Sequence, residues 1–271
     1  MKVACIQTSL QPNAIEAIEQ NSQLANYAIE NGSDFLVFPE HCGGLYRDGE
    51  FLKPTVATES AHPVLSNFKE IAASNKKWIL VGSLGIKASS GKHWNRSFLI
   101  DSQGIVRGRY NKIHLFDADL GQDGYFRESA RVESGNQVSI VATNMGLIGQ
   151  TICYDLRFPY LYRMLAISGA QIFTVPSAFT RVTGEAHWHI LNRARAIENG
   201  AFIIAPCASG PIPGGGDCFG HSLIISPWGE ILVDGGTGVG IFTAIIDLGL
   251  VAEARKKIPS LLHSKAFGLN T

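Results

Sequence analysis

Three reactive side chains stand where an apolar run gives way to a polar loop. Cys153 follows the run LIGQTI, Glu40 follows DFLVFP, and Lys112 follows the run from Ile105 to Arg109. In α/β proteins, side chains just beyond the carboxyl ends of strands face the ligand. A thiolate attacks a carbonyl carbon, a carboxylate moves protons, and an ammonium neutralises the oxyanion and favours the thiolate. This trio therefore suits acyl transfer.

Each of the three side chains also has an ordinary interpretation. A lone cysteine is more often inert than nucleophilic, and a loop lysine usually lies on the surface. A glutamate after a strand is usually a cap or part of a solvated turn. Composition and spacing alone therefore leave the catalytic interpretation undecided.

The elements that must position these side chains alternate along the whole chain. Apolar stripes with a period near 3.6 predict helices at Ala14 to Glu30, Val64 to Ala73, Tyr160 to Ser168, Glu185 to Asn199 and Leu248 to Lys257. Short β-branched runs predict strands at Val3 to Gln7, Phe35 to Phe38, Trp78 to Leu84, Ser97 to Ile100, Ile105 to Arg109, Val138 to Thr143, Gly146 to Ile152, Ile172 to Val175, Ala201 to Ala205, Ser222 to Ile225, Ile231 to Val233 and Gly240 to Ile246.

About twelve strands are more than one doubly wound sheet usually holds, and many of them follow one another with no helix between. We therefore predict an α/β fold in four α-β-β-α layers, with two mixed sheets face to face and helices outside. No linker interrupts residues 1–271, so one domain is expected. The stretch PIPGGGDCFG, from Pro211 to Gly220, is interpreted as one loop of that domain.

The bulk composition indicates a small-molecule partner. Basic and acidic residues both number 23, so no basic surface predicts nucleic acid or an anionic membrane. The opening MKVACIQTSLQPN has too short an apolar run for a signal peptide, and no apolar window predicts a membrane span. Because the five cysteines are odd in number and scattered, we expect no disulfide framework and a cytoplasmic location.

Motifs around the three side chains resemble those of the nitrilase superfamily of carbon-nitrogen hydrolases. These motifs are FPE at Phe38 to Glu40, YNKIHLFD at Tyr110 to Asp117, and ICYDLRFP at Ile152 to Pro159. The resemblance continues through FRES, PSAFTRVTGEAHW, RARAIEN and GHSLIISPWGEIL, and so covers nearly the whole chain. It implies the same four-layer sandwich that the strand count predicts.

The resemblance also implies roles for individual residues. Cys153 would be the nucleophile, Glu40 the general base, and Lys112 the cation that stabilises the tetrahedral intermediate. Glu128, in FRES, would orient the lysine and shape the pocket. The backbone N–H of Tyr154 would join Lys112 as an oxyanion donor. The expected cycle acylates the cysteine with release of ammonia and then hydrolyses the thioester, without a cofactor or a metal.

Within the superfamily, the chain most resembles the branch that contains deaminated glutathione amidase and omega-amidase. The stretches TGEAHW, KIHLFDADL and GHSLIISPWGE carry this resemblance, which implies a terminal amide on a 2-oxo acid. The stretches EHCGGLYRDGE and ASGPIPGGGDCFG depart from it, so the acyl group stays open. A carboxylated substrate needs a cation, for which Arg181 and Arg47 are candidates, although each could equally be a surface or packing arginine.

Other functions remain open at this point. The chain could be a nitrilase, a carbamoylase, an amidase for simple aliphatic amides, or a scaffold that has lost catalysis. A homodimer or a higher homo-oligomer is expected through the helix after Cys153 and the segment from Leu248 to Asn270, because the resemblance implies such pairing. We expect no metal at His187 and His189, because residues two apart on a helix do not face one another.

Asp155 and Arg157 lie beside the candidate nucleophile and could also be catalytic. We expect them instead to pair with each other or to cap the following helix.

Overall fold

Seven strands form the first of two mixed sheets in the computed structural model, which describes residues 1–266 and 268. In spatial order six of them are Gly240–Ile245, Lys2–Gln7, Phe35–Val37, Trp78–Lys87, His93–Ile100 and Val106–Asn111. The seventh, Val56–Ala57, pairs in parallel with the end of Trp78–Lys87. The second, third and fourth strands of the row run parallel, and the other neighbouring pairs are antiparallel.

The second sheet repeats this plan with six strands. In spatial order they are Ser139–Thr143, Gly146–Gln150, Ile172–Thr174, Phe202–Ala205, Leu223–Ile225 and Ile231–Asp234. The second to fourth strands of the row are parallel, and the flanking strands are antiparallel. All twelve predicted strands are therefore present, and each lies in one of the two large sheets.

Alternating side chains along each strand show how the layers stack. Val3 and Cys5 pack between the two sheets, against residues such as Ile172 of the second sheet. Ala4 and Ile6, which point the other way, pack against the outer helices. A separate apolar cluster joins the second sheet to its own helices. The predicted α-β-β-α sandwich is confirmed.

The helices cover the two outer faces. Their bounds are Ala14–Glu30, Pro63–Asn75, Pro159–Ile167, His189–Asn199 and Gly249–Lys257. The helix predicted from Glu185 begins earlier, because the short helix Arg181–Thr183 and a π-helical turn, Gly184–Trp188, run directly into His189–Asn199. Short 3₁₀ turns occur at Glu59–Ala61, Gly121–Asp123, Glu128–Ala130 and Cys153–Arg157. None of the helices in the described residues is both long and apolar enough to cross a membrane.

Three two-stranded ribbons project beyond the sheets and were not predicted. They pair Leu45–Asp48 with Phe51–Pro54, Asp117–Asp119 with Tyr125–Arg127, and Ser209–Pro211 with Asp217–Phe219. The interpretation of residues 211–220 as a single loop was wrong, since that stretch ends one strand and contains another. Strands of three or four polar and glycine-rich residues carry no alternation long enough to detect.

Candidate active site

One cavity collects the side chains that the sequence analysis singled out. Glu40 follows the strand Phe35–Val37, Lys112 follows Val106–Asn111, and Cys153 follows Gly146–Gln150. All three line this cavity, together with Glu128. The first sheet therefore supplies the carboxylate and the ammonium, and the second sheet supplies the thiol.

The backbone at Cys153 turns sharply as its strand ends. Its φ is +47°, in the left-handed region that side chains other than glycine rarely adopt. Its N–H donates to the carbonyl of Pro176 at 2.9 Å, which holds this conformation. The cysteine is only 8% exposed and leads directly into the 3₁₀ turn Cys153–Arg157. Strain of this kind is characteristic of positions that present a functional side chain.

Asp155 fixes that turn from within the core. Its fully buried carboxylate accepts hydrogen bonds from the Tyr110 hydroxyl at 2.7 Å, from the Ile152 N–H at 2.9 Å and from the His114 N–H at 3.1 Å. The expected pairing of Asp155 with Arg157 was wrong, and neither side chain caps the helix Pro159–Ile167; Asp155 instead caps the 3₁₀ turn through the N–H of Ile152. The carboxylate is better placed to satisfy buried donors, while the guanidinium turns toward the cavity.

The two glutamates bracket the lysine. The Lys112 Nζ donates to Glu40 Oε1 at 2.8 Å and to the two carboxylate oxygens of Glu128 at 3.2 and 2.9 Å. All three side chains are at least nine-tenths buried. Glu128 also accepts from the N–H of Phe116 at 2.6 Å, and Glu40 accepts from the N–H of Ala178 at 2.9 Å. Each carboxylate is thus held from two sides.

Asn95 completes this buried cluster and was missed from the sequence. Its Nδ2 donates to Glu40 Oε1 at 2.9 Å and to Glu128 Oε1 at 3.1 Å, so one amide group ties the two carboxylates together. The residue lies in the strand His93–Ile100, where His93, Asn95 and Ser97 alternate with outward residues and are all buried. Buried polar side chains need partners, so three polar residues at inward positions of a strand were a usable signal.

The electrostatics of the cluster separate charged groups from neutral ones. Burial alone would raise the pKa of Glu40, but the adjacent Lys112 ammonium outweighs it and lowers that pKa to about 2. Burial opposes the charge of Lys112, yet Glu128 and Glu40 raise its pKa well above the ordinary value. For Cys153, burial and the Glu40 carboxylate raise the pKa, and the ammonium only partly offsets them. The resting site therefore holds the ionised Glu40–Lys112–Glu128 cluster beside a neutral thiol.

The sequence model of the carbon-nitrogen hydrolase family matches residues 2–256 of this chain. The chain belongs to the carbon-nitrogen hydrolase family. Deaminated glutathione amidase of Synechocystis sp. (strain PCC 6803 / GT-S) is 35% identical over 264 residues, which cover 96% of each protein. Deaminated glutathione amidase of Mus musculus is 32% identical over 272 residues, covering 97% of this chain and 83% of that protein. The chain is therefore a carbon-nitrogen hydrolase of the amidase type.

Solved structures agree with this assignment. The NitFhit protein of C. elegans superposes with a TM-score of 0.88 at 30% identity, covering 97% of this chain. This chain spans 65% of NitFhit, so the likeness concerns only part of that longer protein. Nit3 of Saccharomyces cerevisiae, a member of branch 10 of the nitrilase superfamily, superposes with a TM-score of 0.84 at 25% identity and covers 96% of this chain. The nitrilase resemblance of the sequence is confirmed.

The rest of the cavity in this carbon-nitrogen hydrolase is mostly apolar. Its walls include Leu45, Leu52, Phe116, Phe126, Phe179 and Ile212, which come partly from the three ribbons. Tyr154, the predicted source of an oxyanion N–H, also lines it.

Arg157 contributes the guanidinium of this cavity and was not expected there. Its Cζ lies 5.9 Å from the ring centre of Tyr154 and 5.6 Å from that of Phe179, and its NH2 contacts the ring of His187 at 3.2 Å. Within the described part of the chain, no carboxylate oxygen lies within 4.0 Å of its nitrogens.

Arg181, the cation expected from the sequence, lies elsewhere. It lines a second, open depression next to the cavity, together with Arg47, the other candidate. Neither arginine lines the cavity that holds Cys153. Both stretches that depart from the expected pattern do reach the cavity, through Leu45 and Ile212 among others.

Among the residues that the structure describes, two groups of side chains have the composition of a metal site. Glu40, His41 and Glu128 lie close together, but the Lys112 ammonium already bridges the two glutamates. The second group lies outside the cavity that holds Cys153.

His189, His221 and Asp234 form that second group. The carboxylate contacts one imidazole at 2.9 Å and the other at 2.8 Å. His187 contacts Arg157 instead of His189, so the two histidines of HWH diverge as expected.

Proposed function

We propose that this carbon-nitrogen hydrolase is a cysteine-dependent amidase for small carboxylated amides of the 2-oxo acid type. The observation that carries the proposal is the placement of a strained, nearly buried Cys153 in one cavity with the Glu40–Lys112–Glu128 cluster. Nucleophile, base and cation are the three groups that acyl transfer requires. Deaminated glutathione amidases are the relatives that support the choice of substrate.

The first half of the proposed cycle forms a thioester. Glu40 takes the proton of the neutral Cys153 thiol as the sulfur attacks the amide carbon. The oxygen of the tetrahedral intermediate becomes negative and is stabilised by the Lys112 ammonium and the N–H of Tyr154. The C–N bond then breaks, and the proton on Glu40 passes to the departing amine. Because Lys112 is fixed between two carboxylates before substrate arrives, little reorganisation accompanies the reaction.

The second half hydrolyses the thioester. Glu40, again ionised, takes a proton from a water molecule that attacks the acyl carbon. The tetrahedral intermediate collapses to release the carboxylic acid, and the proton returns to the cysteine thiolate as it leaves. The amine that leaves in the first half is ammonia when the substrate is a primary amide. When the substrate is a secondary amide, as in deaminated glutathione, it is a larger amine.

The charge of the cavity supports a carboxylated acyl group. Arg157 has no acidic partner within 4.0 Å in the described residues and is aimed over aromatic rings that line the same cavity. We propose that it pairs with the carboxylate of the 2-oxo acid, since guanidinium and carboxylate match in shape and charge. The alternative within the same chemistry is an omega-amidase acting on 2-oxoglutaramate or 2-oxosuccinamate.

The test measures 2-oxoglutarate, the product common to deaminated glutathione and 2-oxoglutaramate. We expect Cys153→Ala and Cys153→Ser to lose turnover by about a thousandfold or more, because the nucleophile is removed. Their melting temperatures should remain close to that of the wild type. Cys207→Ala is the matched control, because Cys207 is also a buried free cysteine but does not line the cavity.

The outcome of this assay separates the alternatives. Cys153-independent turnover would contradict the proposed mechanism. If the wild type cleaves neither substrate, ammonia release from nitriles, carbamoyl compounds and aliphatic amides tests the remaining activities of the superfamily. If none of these compounds is turned over in a Cys153-dependent way, the interpretation as a non-catalytic scaffold remains.

We also propose that the protein acts in the cytoplasm as a homodimer. All five cysteines are free and buried, which suits a reducing compartment. Tyr160, Met164 and Ile167 form an exposed apolar stripe on the helix Pro159–Ile167, and a second copy could cover it. Residues 267, 269 and 270 of the segment expected to share this interface lie outside the described residues. A monomer at micromolar concentration in light scattering would contradict the dimer.

A further inference from the structure

We propose that the open depression beside the cavity binds a carboxylate on the departing amine of the substrate. This depression, here called the outer subsite, is lined by Arg47, Arg181, Phe126, Ile212 and Gly216, among others. The inference rests on the proposed function and extends it from the acyl group to the leaving group. It predicts a preference for amides whose amine carries its own carboxylate, such as a dipeptide, over primary amides.

The outer subsite adjoins the catalytic cavity. Phe126, Thr180 and Ile212 line both spaces, so they form the wall along which a leaving group would extend. An amine with two amino-acid residues reaches about 7 Å when extended. On this proposal, a dipeptide leaving group extends along this shared wall and turns its terminal carboxylate toward the arginines of the outer subsite.

Arg47 is held in place by three ribbons rather than by an acid. Its Nε donates to the carbonyl of Gly49 at 2.9 Å, and its Cζ lies 4.4 Å from the ring centre of Phe126. The guanidinium packs closely against Gly124 and Gly216, where an added Cβ would lie 2.5 or 2.8 Å from its terminal nitrogens. Among the side chains that the structure describes, which leave out that of Asp123, no carboxylate lies within 4.0 Å of it. A guanidinium that neutral groups position in advance suits an anionic ligand.

Arg181 provides a second, adjustable cation at the same rim. Its Nε is 3.7 Å from Asp217, which is beyond hydrogen-bond distance, and both side chains are about half exposed. An exposed pair of this kind contributes little to stability and can open at small cost. Asp217 and Glu185 lie on the same rim and balance the positive charge of the two arginines. The subsite would therefore bind a ligand of matching shape more tightly than a nonspecific anion.

The test compares three substrates that share the 2-oxoglutaryl group. They are deaminated glutathione, its analogue in which the terminal glycine carboxylate is an uncharged amide, and 2-oxoglutaramate. For the wild type we expect kcat/KM to be about ten- to a hundredfold higher with the carboxylate than with the uncharged analogue, the range of a charge-assisted hydrogen bond. The difference should lie mainly in KM.

Arg47→Gln should bring this ratio of kcat/KM values close to one, and Arg181→Gln should lower it less. Arg47→Lys keeps the charge and should retain part of the preference. Arg107→Gln is the matched control, because Arg107 is a surface arginine paired with Asp101 and lines neither space. It should leave the ratio unchanged.

Two results would overturn the outer subsite. The first is a wild type that does not distinguish the carboxylate from the uncharged analogue. The second is an Arg47→Gln variant that loses activity equally with all three substrates, which would mean that the arginine only holds the ribbons together. A wild type that cleaves none of the three substrates would instead contradict the proposed function, and the proposed outer subsite with it.

Discussion

The floor and the rim of the substrate-binding region are built in opposite ways. On the floor, Glu40, Lys112 and Glu128 are buried, and Asn95 links the two carboxylates. The rim consists of two-stranded ribbons outside the two large sheets, one of which carries Arg47, and of Arg181, whose side chain is about half exposed. Glu40 and Lys112 follow strands of the first large sheet, Asn95 lies in another strand of that sheet, and Glu128 follows the ribbon strand Tyr125–Arg127. On the rim, in contrast, the guanidinium of Arg47 packs against Gly124 and Gly216 in the turns of two ribbons.

This difference suggests a division of labour. A buried floor linked by ion pairs and hydrogen bonds keeps charges where the reaction develops charge, and any change there disturbs several buried groups at once. Side chains on the rim can be exchanged with smaller consequences for the fold. We therefore expect substitutions on the floor to change kcat by large factors, and substitutions on the rim to change the choice of substrate.

The largest effect is expected for Lys112→Met. Loss of the ammonium removes an oxyanion donor, for which we expect kcat to fall by about a thousandfold. It also leaves two buried carboxylates without a cation, so the free energy of unfolding should fall by about 3–5 kcal/mol. Kinetics and urea unfolding measure the two effects.

A double variant separates stability from catalysis at this lysine. Lys112→Met combined with Glu128→Gln removes one of the uncompensated charges, so it should recover part of the lost stability and none of the activity. Recovery of activity would contradict the role proposed for the lysine.

A smaller effect is expected for Asn95→Ala. Asn95 does not line the cavity but donates to both carboxylates, so it acts as a positioning residue. We expect kcat to fall about tenfold or more while KM changes little, because a hydrogen bond to a charged group is worth about 1.5–3 kcal/mol. Ser97→Ala is the control, since Ser97 is buried in the same strand and touches neither glutamate. An equal loss in both variants would contradict specific positioning.

The smallest effect concerns how the free energy of unfolding depends on pH through the buried side chain of His93. Burial lowers the pKa of His93 from its ordinary 6.5 to about 4. Between these values the unfolded chain binds a proton that the folded chain does not, so the contribution to stability is full above about pH 6.5 and is lost as the pH falls through about 4. Burial lowers the pKa of His41 and His62 as well, so they act in the same direction.

The measurement is urea unfolding at about pH 7 and about pH 5. When the pH falls from about 7 to about 5, the free energy of unfolding should fall by up to about 2 kcal/mol more in the wild type than in His93→Gln, since each pKa unit corresponds to about 1.4 kcal/mol. An equally steep loss in the variant would show that His93 does not contribute.

Much of the fold could be predicted because the sheets carry strong patterns. Strands such as Trp78–Lys87 are long apolar runs, and helices such as Ala14–Glu30 have a clear apolar stripe. The ribbons could not be predicted, because strands such as Asp117–Asp119 are too short and polar to show a period. Their pairing depends on tertiary contacts between distant loops.

The residues of the candidate site likewise differ in how far the sequence could predict them. Glu40, Lys112 and Cys153 each follow a recognisable strand, so chemistry and position together marked them in the sequence. Asn95 was missed, and Arg157 was considered but set aside, because their importance comes from neighbours that only the folded chain brings close. The partner of Asp155 was misjudged for the same reason: Tyr110 lies 45 positions away in sequence.

The most direct test of the central claim is to trap the thioester with hydroxylamine. Hydroxylamine competes with water for a common acyl-enzyme and converts it to a hydroxamate. We predict the same ratio of hydroxamate to carboxylic acid from deaminated glutathione and from 2-oxoglutaramate, with each product counted together with the oxime that hydroxylamine forms at its 2-oxo group, since both substrates would form one intermediate on Cys153. A ratio that depends on the departing amine, or the absence of any hydroxamate during turnover, would contradict the covalent mechanism.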